Sequence, residues 1–156
     1  MRSLIFTHGP NDWNYLPRDG VAQELEDVRS GKAIAVVVED RGEIVGLAVS
    51  YPSFIRFPEL ADSSEPSSCA YICDVVVNRA YAGRSVATRM LNKSKVELVA
   101  RGAKTIFIDC HEENLASRGM MRKSGFVEVA VIDDPERRFV GSRRTVISAW
   151  DAASGG

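Results

Sequence analysis

The chain has no Cys-x-x-Cys pair, and its three cysteines, Cys69, Cys73 and Cys110, are an odd number. That count fits neither a closed disulfide framework nor a cysteine-built zinc site. Free thiols in a reducing compartment fit it, so a cytoplasmic location is expected and no metal is. A basic excess is also missing: 20 Lys and Arg stand against 21 Asp and Glu, a formal net charge of -1. Duplex binders carry a basic footprint, so nucleic acid is not an expected partner. No apolar run is long enough to span a bilayer, and that in "MRSLIFTHGPND" is too short for a signal peptide. A membrane is therefore not expected as a partner. Neither a Gly-x-Gly-x-x-Gly fingerprint nor a Walker lysine occurs, which argues against a dinucleotide or nucleoside-triphosphate site.

What remains is an ordinary globular composition over 156 residues, 45% hydrophobic and 26% charged. It suggests one domain over residues 1–150, with a small polar tail, "DAASGG", left flexible over 151–156. "RSLIF" fits a strand or a helix. Val21, Leu25 and Val28 stand at helical spacing before a stop at Gly31. "AIAVVVE" and "IVGLAVS" read as a hairpin across a short polar turn. "YPSFIRFPELADSSEPSS" is a long loop, and "CAYICDVVV" a central strand. Ser85–Ala100 reads as the longest helix, with Val86, Met90, Val96 and Val99 near one face. "TIFIDC" is a buried strand. A short helix runs from a cap at Asn114 to a stop at Gly125, and two strands, "FVEVAVID" and "RRTVISAW", close the chain. The order predicts an α/β fold, a mixed sheet with helices on its faces.

The junction "RAYAGRSVATRML" holds the most chemistry. A strand ends at Val77, Gly83 permits a close backbone approach, and Ser85 is placed as N-cap of the following helix. Free N–H groups at such a helix start face incoming anions. The plain alternative is a strand-to-helix turn that uses Gly83 for its own geometry.

Two stretches together, "DVVVNRAYAGRSVATRML" and "GAKTIFIDCHEENLASRGMMRKSGF", resemble the core of the GNAT superfamily of acyl-CoA-dependent N-acetyltransferases. That family shows a strand ending in Val, a loop Q/R-x-x-G-x-G/A and a helix. A second strand follows, then N-x-x-A-x-x-L-Y-x-K-x-G-F. Ala82-Gly83-Arg84-Ser85-Val86-Ala87 sits on the loop, and Asn114, Met120, Lys123, Gly125 and Phe126 on the second pattern. The resemblance is good from about Tyr71 to Phe126, and it implies a central splayed mixed sheet. Ala82 replaces the usual Gln or Arg, Ser85 a usual Gly, and Ser117 a usual Ala. Met121 stands where a proton-donating Tyr is common. The segment before the hairpin is short for the family, so its first strand and helix are expected to be abridged or completed by a partner chain, and a homodimer is expected.

The resemblance implies acetyl-CoA, or another acyl-CoA, as co-substrate and no metal. Its pantetheine arm would pair with the backbone of Val75 and Val77. The pyrophosphate would sit on the amides from Gly83 to Ala87, with Arg84 as a charged contact. The N–H near Val75 would polarise the thioester carbonyl, and the acceptor would be a primary amine of a small molecule or protein. For the base, Asp74 and His111 are candidates. Strand alternation aims Asp74 at the face opposite Cys73, where capping or ion pairing competes with catalysis. Histidine is a common general base, which brings in His111, but a lone histidine is often structural. Ser117, Cys110, His111 or water would have to supply the proton that Met121 cannot. A catalytically weak module that binds acyl-CoA as a sensor or interaction domain is the alternative.

Overall fold

The computed structural model describes residues 1–54, 56–60 and 68–154, so part of the expected 51–68 loop lies outside the described residues. Helix α1 (Arg2–His8) resolves the ambiguity of "RSLIF": Leu4 and Ile5 are buried on one side of a helix. Helix α2 (Arg18–Arg29) starts after Pro17, carries Asp19 in its first turn and Arg29 in its last, and stops before Gly31 at φ +82°. Those charges match the helix dipole, and the positive φ suits a glycine beyond the helix end.

Strands β1 (Ile34–Asp40) and β2 (Glu43–Tyr51) pair antiparallel. Arg41 and Gly42 between them both have positive φ, the combination that matches a two-residue hairpin turn to strand twist. Then come β3 (Cys69–Val77), α3 (Val86–Ala100), β4 (Thr105–His111), α4 (Leu115–Lys123), β5 (Val127–Asp133) and β6 (Arg144–Asp151). The six strands form one mixed sheet in the order β1-β2-β3-β4-β6-β5. Only β3 and β4 run parallel. No strand precedes β1 among the described residues.

The helices divide between the two faces. Helices α1 and α2 lay Leu4, Ile5 and Val21 on Leu47, Val49 and Val76. Helices α3 and α4 lay Leu91, Leu98 and Met121 on Ile72, Ile106 and Ile108. The protein's own first two helices thus cover one face of the sheet. The α3 stripe also differs from expectation. Its buried residues are Val86, Met90, Leu91, Ser94 and Leu98, whereas Val96 and Val99 are exposed. Val96 and Val99 lie off the 3.6-residue stripe that starts at Val86, so apolar character misled the helical count. The tail is tied down further than expected: the Ala152 N–H donates to the Lys104 carbonyl at 2.8 Å and the Ala153 N–H to Asp151 Oδ1 at 2.7 Å.

Candidate active site

Strands β3 and β4 pair only from Cys69↔Thr105 to Ile72↔Ile108. Beyond that point they part. Residues 74–77 stay with β2, while Asp109, Cys110 and His111 stay with β6. Asn78 N–H donates to the Val45 carbonyl at 2.8 Å. By strand alternation, the backbone groups of Val76 and Asp74 face β2 as well, and those of Val75 and Val77 point into the gap. The gap lies between two cavities. One, of about 370 Å³, is lined by Val77, the start of α3, and Ala116, Gly119 and Lys123 of α4. The other, of about 430 Å³, is lined by Glu24, Asp74, Val75, Ser117, Met121 and the aromatic residues described below. Met120 borders both.

The smaller cavity lies at the loop where the sequence places an anion cradle. A short 3-10 turn (Arg79–Tyr81), capped by Asn78 Oδ1 accepting from the Ala80 N–H at 3.0 Å, brings the chain round to Ala82. Gly83 has φ +75° and Ser85 φ +58°. Ser85 thus adopts the left-handed conformation that explains why glycine is usual at its place. This conformation costs Ser85 its expected role: it stands at the N-cap position, but its side chain makes no capping hydrogen bond. The N–H groups of Gly83, Ser85, Val86 and Ala87 have no backbone partner among the described residues, whereas the Ala82 N–H donates to Arg79 and the Arg84 N–H to Tyr81 at 3.3 Å. Four amides, rather than the whole run from Gly83 to Ala87, are open to a ligand. The Arg84 guanidinium lies 5.1 Å from the centre of the Tyr81 ring. A Cβ added at Gly83 would meet nothing, so the space above it is free for a phosphate.

In the larger cavity two carboxyls meet. A register shift in β2–β3 between Val49 and Ser50 breaks the alternation at Cys73, so Asp74 does not turn away from it as expected: the Glu24 carboxyl of α2 lies beside both the Asp74 carboxyl and the Cys73 thiol. Bulges of this kind re-aim side chains. Glu24 Oε2 and Asp74 Oδ2 are buried without a hydrogen-bond partner. Burial first, then the Asp74 charge, pushes the Glu24 carboxyl up to about 8. Burial likewise raises Asp74. Two carboxyls so placed hold one proton between them. Asp27, another buried acid, is matched: it accepts from the Tyr51 hydroxyl at 2.9 Å and pairs with Lys32 at 3.3 Å.

His111 is placed differently from the expectation of a free base. It is 1% exposed, its Nδ1 accepts from the Glu113 N–H at 3.0 Å, and its Nε2 lies 2.9 Å from the Val140 carbonyl. These partners require the proton on Nε2 and leave neither nitrogen open. Cys73 donates to the Val49 carbonyl, and burial holds its thiol well above the ordinary range. Burial pushes Cys110 up to about 12. Ser117 lines the cavity while its N–H is held by Asn114 Oδ1 at 3.1 Å, so Asn114 serves α4 as its cap. Met121 is 3% exposed and packs in the core against which α3 and α4 rest, with one side on the cavity.

Sequence reasoning missed Glu24 and a second acid, Asp109. The signal for Glu24 was available: it sits at helical spacing between Val21 and Val28, an acid within the apolar stripe of α2. Asp109 is held by Arg138 at 2.6 Å, by Arg137 at 3.1 Å and by the Tyr71 hydroxyl at 2.8 Å. "PERRFVGSRR", read as a charged turn, is thus bolted into the cleft. Among the described residues no group of three His, Cys, Asp or Glu is placed to hold a metal, and no helix is long and apolar enough to cross a membrane.

Comparison with known proteins gives this architecture relatives. A search of curated sequences finds no match. Solved structures do match. A ribosomal-protein-alanine N-acetyltransferase of Brucella melitensis aligns with TM-score 0.68 and 19% identity over 87% of this chain and 79% of its own. An aminoglycoside 6'-acetyltransferase type Ii aligns with TM-score 0.65 and 20% identity over 85% and 77%. An acetyltransferase of Salmonella typhimurium, solved with acetyl-CoA, aligns with TM-score 0.68 and 15% identity over 87% and 74%. At such identities the likeness is one of fold. The sequence match is independent of it: a model of the acetyltransferase (GNAT) family covers residues 4–126, most of the chain, and the protein belongs to that family.

Proposed function

We propose that the protein transfers an acetyl group from acetyl-CoA to a primary amine of a small molecule or protein by direct attack within a ternary complex. The observation that carries this reading is the parting of β3 from β4, which opens the backbone of Val75 and Val77 between an amide cradle and a carboxyl pair. Acetyl-CoA, when bound, supplies the activated thioester. The amides of Gly83, Ser85, Val86 and Ala87 hold its pyrophosphate, with Arg84 and Lys123 as nearby cations. The Val75 N–H donates to the carbonyl oxygen as negative charge develops there. The Glu24–Asp74 pair takes the proton of the acceptor ammonium, freeing the amine lone pair. A nitrogen–carbon bond forms, the carbon–sulfur bond breaks, and the second proton leaving the nitrogen passes through water to the thiolate, either directly or by restoring a Ser117 hydroxyl that has protonated it. His111 holds the loop at Val140 and stays outside proton transfer. The structural relatives named above act on a ribosomal protein in one case and an aminoglycoside in another, so the class of acceptor is set by the cleft and not by the family. The test is acetyl-CoA turnover across an amine panel, with the mass gain of one acetyl group on the acceptor. CoA binding without turnover on any amine rejects the enzyme.

Two outcomes are expected. The variant Gly83→Val, forced into a conformation β-branched residues avoid, should weaken CoA binding tenfold or more, roughly 1.4 kcal/mol. Calorimetry on a folded variant that shows unchanged affinity removes the cradle from the proposal. The second reading, an acyl-CoA-binding module with little turnover, is favoured by Met121, whose thioether gives no proton. Met121→Tyr is expected to raise kcat with CoA affinity held. A lower kcat in a folded variant places the native donor elsewhere.

A further inference from the structure

We infer that the acceptor is an arylalkylamine: one primary ammonium joined by a short chain to an aromatic ring. The inference rests on the acetyltransferase reading above and names its second substrate. Three features of the larger cavity lead to it.

The first is a cation site. Glu24 and Asp74 both line the cleft beside Val75, and two carboxyls with one proton between them keep a negative charge there. No lysine or arginine pairs with either acid among the described residues. A ligand ammonium has the charge and the N–H groups that they lack.

The second is an aromatic mouth. Tyr15, just before α2, and Phe139, between β5 and β6, line the same cavity with their rings in edge contact at 5.8 Å. They remain 69% and 62% exposed. The chain on both sides of Phe139 is anchored. Arg138 is held by Asp109 at 2.6 Å and Thr145 at 2.8 Å, and the Val140 carbonyl faces His111 at 2.9 Å. Trp13, another residue of this wall, lies against the His111 ring at 4.7 Å. A ring left in water while its neighbours are fixed is pre-ordered for a partner, and offset or edge contacts between rings add to simple burial.

The third is what the rest of the wall refuses. Asp109 is already matched by Arg137 and Arg138, and Arg56 also lines the cleft. Apart from Glu136 at the exposed rim, a second or third ammonium on the same acceptor would face guanidinium groups. The cleft therefore suits one cation and one ring, and disfavours polyamines and aminoglycosides.

The test compares 2-phenylethylamine, 2-cyclohexylethylamine, butylamine, spermidine and kanamycin as acceptors with acetyl-CoA, together with direct binding of each amine to the CoA-loaded protein by saturation-transfer NMR. Phenylethylamine is expected to show the highest kcat/KM, at least about tenfold above spermidine, a difference one apolar contact group can supply. Phe139→Ala, an exposed position, should lower kcat/KM for phenylethylamine more than for butylamine, through KM. Equal use of the phenyl and cyclohexyl amines, or a preference for spermidine or kanamycin, overturns the inference and leaves the acetyltransferase reading standing. Binding of phenylethylamine that is lost in Phe139→Ala, without turnover of any amine, supports the site and rejects acetyl transfer. Absence of both binding and turnover of phenylethylamine overturns the inference.

Discussion

Replacing Glu24 by Gln and Asp74 by Asn together is expected to lower kcat by roughly 10²–10⁴-fold, the usual contribution of a positioned base, while CoA affinity is unchanged. The reason is geometric: the two acids face the cleft beside Val75, and the amides at the start of α3 lie in the other cavity. The pH dependence carries the signature. The base acts when the pair has released its shared proton, so kcat in the native protein should rise with pH through about 8, where burial and Asp74 place Glu24. The double variant should lose that limb. Stability runs the other way. Between the ordinary value of 4.5 and about 8 the folded chain holds a proton that the unfolded chain has released. The contribution of the pair is therefore fully present below the lower value and is lost as pH rises through the upper one. Glu24→Gln should flatten this slope, and its melting temperature should gain on the native protein as pH increases. Steady-state kinetics and thermal melts over the same pH series check both halves. A double variant that turns over like the native protein removes the pair from the mechanism.

Asp109→Ala is expected to cost about 3–5 kcal/mol of stability, as for other buried pairs from which one partner is removed. Asp109 is 2% exposed at its side chain and Arg138 is 7% exposed, so the arginine would be left buried with Thr145 alone. The Tyr71 hydroxyl would lose its acceptor too. Urea unfolding should show a lower midpoint at unchanged slope. Because Arg138 adjoins Phe139, the variant should also raise KM for an aromatic acceptor. A loss under about 1 kcal/mol, the range of exposed ion pairs, would show that the cluster is solvated.

Much of this molecule follows from local patterns. Strand periodicity and the Gly42 turn place the β1–β2 hairpin, and apolar runs place β3 and β4. Asn114 and Gly125, a cap and a positive-φ stop, bound α4 in the structure where they bound it in the sequence. The loop at Gly83 was legible for the same reason: positive φ and free helix-start amides are properties of consecutive residues. The family match follows from spacing along the chain, and needs no contact between distant parts.

The chemistry of the cleft depends on contacts that no window of sequence contains. Glu24 and Asp74 are 50 positions apart and meet because α2 packs on the face of β3 where the pairing with β2 shifts register. A one-residue shift changes which side a residue faces, and a single sequence carries no mark of it. His111 looked free because its partners, Glu113 N–H and the Val140 carbonyl, are backbone groups that residue identities do not reveal. Arg137 and Arg138 read as surface charge until β6, inserted between β4 and β5, brought them over Asp109. Local sequence decided where the chain turns and where helix-start amides stay free. Tertiary packing alone decided which acids are left without partners, because burial and pairing are properties of the assembled fold.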